Sequence, residues 1–188
     1  MLEKIPSALG RMLRSARSGL RGLAHRDASM RDVPDTIQVW SPAFPDGGSM
    51  PALYTADGDR LSPPLAWKGV PDETETLVLL VEDADSPTPN PLVHAIVWDL
   101  PPIDGELLTS ALSSELAEPG VGRNSFLKRT YQPPDPPRGH GTHRYAFQLF
   151  ACDRALEFSA PPGRAGVMAA MRGHVLAKGI MIGTYERS

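Results

Sequence analysis

Asp83, His94, His143 and Tyr145 are the side chains in this sequence whose types and settings suit chemistry. The run Val81 to Pro87, VEDADSP, places Glu82, Asp83 and Asp85 where an apolar strand gives way to a loop. Acidic groups in such a loop are ordinarily solvated. Asp83, however, sits at the junction where the chain leaves the core, and a partly buried carboxylate needs a partner. Pro87 stiffens the loop behind it. His94 lies among apolar residues in LVHAIVW, where a lone histidine is more often a satisfied core residue than a working one. His143 and Tyr145 are two apart in HRYAFQLFAC and so share one face of a strand. An imidazole and a phenol beside Phe147 and Leu149 suit the wall of a small pocket, apolar with a few convergent polar groups.

Two chemistries follow from these residue types. Imidazole and phenol groups donate hydrogen bonds to a small anion such as phosphate. Alternatively, Asp83, His94 and His143 could serve a hydrolase as general acid and base, or hold a metal as two histidines and a carboxylate. No serine or cysteine stands in a recognisable nucleophile motif, and Cys152, late in a strand, reads as a core residue. The expectation is therefore a binding protein, not an enzyme, with no cofactor. His140, between two glycines, reads as a loop residue near the rim. Arg144 points away from Tyr145 by strand alternation and reads as a structural ion-pair partner.

The elements that must position these groups are mainly strands. Thr76 to Val81 is continuously apolar, as in a strand covered on both faces. Leu92 to Leu100 is a second such run, ended by Pro101 and Pro102. His143 to Cys152 alternates, with Tyr145, Phe147 and Leu149 on one side and Arg144, Ala146, Gln148 and Phe150 on the other. Thr36 to Trp40 and Ile180 to Tyr185 are shorter strands. Twenty prolines and 17 glycines fall mostly between the apolar runs and punctuate loops. One body helix is expected over 165–178, stopped by Lys178 and Gly179. Another is expected over 2–24, where apolar residues recur at three- and four-residue steps with arginines opposite. It is read first as packing on the body or on a second copy in a homodimer, and second as a weak anchor to anionic membrane. Residues 25–35 read as a linker.

Charge and cysteine content narrow the class. Residues 1–31 hold seven basic and two acidic side chains, a net charge of +5; the whole chain is −3, which leaves −8 for the rest. So acidic a body is a poor nucleic-acid surface, since affinity there comes from neutralising phosphates. The single cysteine excludes an internal disulfide and CxxC-type metal sites. Arginines interrupt any leader-like apolar run near the N-terminus, and no stretch approaches the ~18 apolar residues of a membrane span. A cytoplasmic location is expected.

In their order along the chain, DGDRLSPPLAW, VEDADSP, LVHAIVW, GRNSF, PPRGHGTHRYAFQLFA and GHVLAKGIMIGTYER resemble the phosphatidylethanolamine-binding protein family, in its bacterial, Raf-kinase-inhibitor-like branch. The resemblance spans about residues 37–187 and none of the basic tail. It implies an antiparallel β-sandwich with a C-terminal helix, here with an extra N-terminal amphipathic helix, giving a tail over 1–35 and a domain over 36–188. It also implies a pocket for phosphate, phosphoethanolamine or a phospholipid head group, built from Asp83, Asp85, Pro87, His94, His143 and Tyr145, and the possibility of a protein partner such as a kinase or protease. Two departures bear on pocket shape. Ala84 stands where the family loop commonly has proline, and Pro133 where it commonly has glycine.

Overall fold

The computed structural model describes residues 7–112 and 120–187. Among the described residues eight strands form two sheets, and every strand pairing within them is antiparallel. Three short strands, β1 (Gln38–Trp40), β2 (Leu65–Lys68) and β5 (Gly105–Leu107), make the smaller sheet in the order β1-β2-β5. The larger sheet runs β6-β4-β3-β7-β8. It comprises β3 (Thr76–Asp83), β4 (Leu92–Leu100), β6 (Gly120–Val121), β7 (His143–Cys152) and β8 (Val175–Tyr185).

Period-two alternation sorts the core. Leu77, Leu79 and Val81 of β3, with Tyr145, Phe147 and Leu149 of β7, pack against Leu65 and Trp67 of the smaller sheet. Val78 and Leu80 point the opposite way, with Phe150, onto Val167, Met168 and Met171 of helix α2 (Arg164–Met171). All eight residues of β3 are buried, as its unbroken apolar run requires. The three strands that carry Asp83, His94 and Tyr145 are thus central ones, held on both faces.

The two helices differ from expectation. The body helix ends at Met171, seven residues before its expected stop, because Gly173 takes a left-handed φ of 78° and turns the chain into β8. Lys178 and Gly179 accordingly lie within a strand, and His174 lies in the turn before it. Of the N-terminal helix, residues 1–6 lie outside the described chain, and the described part is one short helix, α1 (Ser7–Met12). Beyond it the backbone donors of Ser18 and Gly19 go to the carbonyls of Ser86 and Ala84, and Gly19 has φ 79°. Leu20 and Leu23, expected on a helical stripe, pack with Ala84 and Ala146, and Ala24 and Met30 beyond them join the α2 face of the core.

Residues 25–30, expected as linker, form with Ala24 two single 3-10 turns, Ala24–Arg26 and Ala28–Met30. Buried polar side chains of the sheet hold them. Ala24 N donates to Glu82 Oε2 at 2.8 Å and His25 N to Gln148 Oε1 at 2.8 Å. The Lys178 ammonium donates to the carbonyls of Met30 and His25 at 2.5 and 3.3 Å. Arg164 bridges Glu82, at 2.6 Å, to the Gly22 carbonyl.

A buried histidine relay behind a narrow cavity

Strand register brings the candidate residues together. Asp83 ends β3 directly opposite Tyr145 on β7 and Leu92 on β4. His94, two residues into β4, meets Tyr145 edge to face with ring centroids 5.2 Å apart. His143 stacks on the other side of Tyr145 at 6.3 Å. Asp83 Oδ1 accepts from the Asp85 amide at 2.8 Å, and Oδ2 lies 2.8 Å from His143 Nδ1.

His143 is not a free donor. Its Nε2 lies 2.7 Å from His140 Nδ1, and His140 Nε2 lies 2.7 Å from the carbonyl oxygen of Leu13. That carbonyl can only accept, so His140 Nε2 carries a proton. Burial, with the neighbouring His143 and Arg17 charges, lowers the His140 pKa and keeps its ring neutral. Neutral His140 then offers only a lone pair at Nδ1, and His143 Nε2 must donate to it. The remaining proton of the chain lies between His143 Nδ1 and Asp83 Oδ2, either as an imidazolium–carboxylate pair or as a neutral imidazole with a carboxylic acid. His140, read from the sequence as a rim residue, is fully buried and belongs to this relay. The one signal for it was its place three residues before His143, on a glycine-flanked turn.

His94 is set by the same logic. Its Nδ1 lies 2.5 Å from the Gln132 carbonyl and must donate to it. Burial lowers its pKa, outweighing the nearby Asp83 charge. In the neutral ring Nε2 is therefore an acceptor, and it is buried without a partner, as is the Tyr145 hydroxyl. Asp83 and His94 line a cavity of only about 10 Å³, with Phe126, Gln132, Pro133 and Asp135 on its wall. That is the room of about one water molecule. Phe126, Gln132, Pro133 and Asp135 also line an adjoining open groove of about 430 Å³, whose wall adds Arg60 and Lys128. Pro133 is thus part of the partition between cavity and groove. Asp135 on that partition pairs with the buried Arg187 at 2.5 Å, and Arg187 also donates to Asp57.

Asp85 and Pro87 lie apart from the cavity. Asp85, fully buried, takes Arg144 in a two-pronged pair at 2.7 Å and Arg17 at 2.9 Å. Burial raises its pKa, but hydrogen bonds from the two guanidinium groups prevail and hold it at about 2. Arg144 is the structural ion-pair partner that strand alternation indicated. Pro87 is half-buried and lines neither cavity nor groove. Among the described residues no three His, Cys, Asp or Glu side chains are grouped to hold a metal ion, and no helix is long and apolar enough to cross a membrane.

Comparison with known proteins places this geometry. The family description "phosphatidylethanolamine-binding protein" matches residues 40–186. A UPF0098 protein of Aquifex aeolicus is 38% identical over 154 residues, 80% of this chain and 89% of its own length. One from Pyrococcus horikoshii is 36% identical over 150 residues, covering 78% of this chain and 75% of the relative. Among solved structures, a phosphatidylethanolamine-binding protein homologue of Chlamydia trachomatis superposes with a TM-score of 0.75 at 34% identity, over 82% of this chain and 99% of the other. YbcL of Escherichia coli gives the same TM-score at 24% identity, over 81% of this chain and 99% of its own, a likeness of fold alone.

Proposed function

The chain belongs to the phosphatidylethanolamine-binding protein family, a membership that favours a binding role in general, and on that premise we propose that it holds a small phosphate-type anion, without catalysis, at the cavity lined by Asp83 and His94, with the Tyr145 ring against His94. One observation carries the reading: His94 Nε2 and the Tyr145 hydroxyl are buried and unpartnered on rings that touch, beside a carboxylate. Burying such atoms without partners costs about 1–3 kcal/mol each, which a ligand that pairs them recovers. Arg60 and Lys128, neither of them in an ion pair among the described residues, make the groove outside attractive to an anion.

The space inside admits one oxygen-sized group, so the anion sits at the junction of cavity and groove with a single oxygen inserted past Pro133. That oxygen must bring a proton, because neutral His94 offers a lone pair there. A phosphate monoester supplies one below its second pKa of about 6. Protonated His94 would donate instead, and its lowered pKa places that form on the acid side of 6.5. Both effects act in one direction, and binding tightens as pH falls from 8 to 6.

An amide-NMR titration with phosphate and with phosphoethanolamine at pH 6 and pH 8 tests this. Saturable shifts at Asp83, His94, Gln132 and Tyr145, stronger at pH 6, are expected. No saturable shift at these residues, or tighter binding at pH 8, would overturn the proposal.

A further inference from the structure

A second cavity, of about 320 Å³, opens where the N-terminal segment crosses β8, on wall residues that include His25, Arg26, Asp27, Arg31 and Lys178. It shares no residue with the cavity and groove described above. From its wall we infer a separate oxyanion site, fitted to a phosphomonoester group and built by residues 25–31 together with Lys178.

Three features point to an anion. Lys178 is a buried ammonium, only 6% exposed, with two of its three donors taken by the His25 and Met30 carbonyls. No carboxylate among the described residues lies within salt-bridge distance of it, Asp35 acting only through space, and a buried cation without a direct partner is costly. His25 is 1% exposed, and neither ring nitrogen makes a hydrogen bond. Its Nε2 lies 3.1 Å from Asp35 Oδ2 as an ion pair when the ring is charged, and Nδ1 has no partner at all. Arg26 and Arg31, exposed at the mouth, form no ion pair among the described residues and can close over an entering group.

The site thus sets three full positive charges and an imidazole against two carboxylates, Asp27 on the wall and Asp35 beside His25. Asp27 is already engaged by the Ser29 amide at 2.9 Å and the Ser29 hydroxyl at 2.7 Å, which lower its pKa. Guanidinium groups match the paired oxygens of a phosphate, and an ammonium donor beneath them completes a tetrahedral set. The three terminal oxygens of a phosphomonoester match donors from Lys178, Arg26 and Arg31 better than the two oxygens of a carboxylate or diester do.

The test is an amide-NMR titration of the full chain with inorganic phosphate, against sodium chloride at matched ionic strength. Saturable shifts across residues 25–31, specific to phosphate, are expected. The double variant Arg26→Ala/Arg31→Ala, altered only at exposed positions, should bind there about tenfold more weakly while shifts at His94 and Gln132 persist. Chloride reproducing the shifts, no saturation over 25–31, or unaltered affinity in the double variant would each overturn the assignment. Sedimentation with phosphatidic acid vesicles then separates the sources of the group. Phosphate saturation with vesicle binding lost in the double variant assigns a lipid head group; phosphate saturation without vesicle binding assigns a soluble phosphomonoester.

Discussion

Replacing His140 by alanine tests whether the relay is a physical unit. The side chain is fully buried and sits 2.7 Å from a partner at each ring nitrogen. Its removal leaves the His143 Nε2 proton, in a fully buried ring, without an acceptor, whereas the half-buried Leu13 carbonyl keeps the Ala16 amide at 2.8 Å. Orphaning a buried polar group costs about 1–3 kcal/mol, which with the vacated volume predicts a loss of about 2–4 kcal/mol. Equilibrium urea unfolding at pH 7.5 measures it as a drop in midpoint at constant slope. Long-range nitrogen–proton NMR reads the His143 ring directly and should show its Nε2 signal displaced. His140→Gln keeps a donor for Leu13 and an acceptor for His143, and should recover about half of the lost stability. A destabilisation below about 0.5 kcal/mol, with the His143 ring signals unmoved, would refute the proton assignment along the whole chain.

Acid should weaken the fold through three histidines. Burial lowers the pKa of His25, His94 and His140. The unfolded chain therefore binds more protons than the folded one, and stability falls as pH drops below 6.5, by at most about 1.4 kcal/mol per pH unit for each group; thermal midpoints between pH 7.5 and 5 check the sign. Asp85 acts lower: its folded pKa is held at about 2, so its contribution is present above about 4 and disappears as pH falls through 2. Asp85→Asn should cost about 1–2 kcal/mol at pH 7, discounted because Arg144 and Arg17 reach solvent, and nothing near pH 2. Deleting residues 1–30 removes the buried Leu23 and Met30, strips both carbonyl partners from Lys178 and takes one backbone donor each from Glu82 and Gln148. A loss of about 4 kcal/mol or more is expected, seen in urea midpoint or as failure to fold.

How far the sequence disclosed this arrangement depended on whether a feature was periodic. The strands read well because alternation or unbroken apolarity is visible in single residues, and the sharing of a face by His143 and Tyr145 follows from their spacing. Asp83 and His94 lie 11 residues apart, and only the pairing of β3 with β4 joins them. The pairing was accessible through the family resemblance, not through periodicity. The relay was hidden because its far end, the Leu13 carbonyl, is a backbone atom 127 residues from His140. The N-terminal stripe misled for a related reason. Leu20 and Leu23 have helical spacing, but the amides of Ser18, Gly19 and Ala24 around them go to the Ser86 and Ala84 carbonyls and to Glu82 in place of a helical ladder. At the other end, Lys178-Gly179 has the composition of a helix stop. Gly173, five residues earlier, made the turn, and the buried Lys178 pairs instead with carbonyls of the N-terminal segment.

That misreading points to the role of the polar row on the outer face of the larger sheet. Glu82, Gln148 and Lys178 are buried on three adjacent strands, where an apolar covering would call for leucine or valine. Irregular chain has backbone groups with no intrachain ladder to satisfy them, and it can be buried only against a surface that supplies partners. The three side chains do this for Ala24, His25 and Met30, and Arg164 does it for Gly22. An apolar sheet face would leave those groups orphaned. A regular helix there would in turn leave Lys178 as a buried charge without carbonyl partners and take from Glu82 one of its donors. The polar row and the irregular segment therefore require each other. The same segment supplies the Leu13 carbonyl that orients His140 and the Arg17 guanidinium that binds Asp85. Residues 13–30 thus set the proton arrangement behind Asp83, although they lie outside the stretch that matches the family.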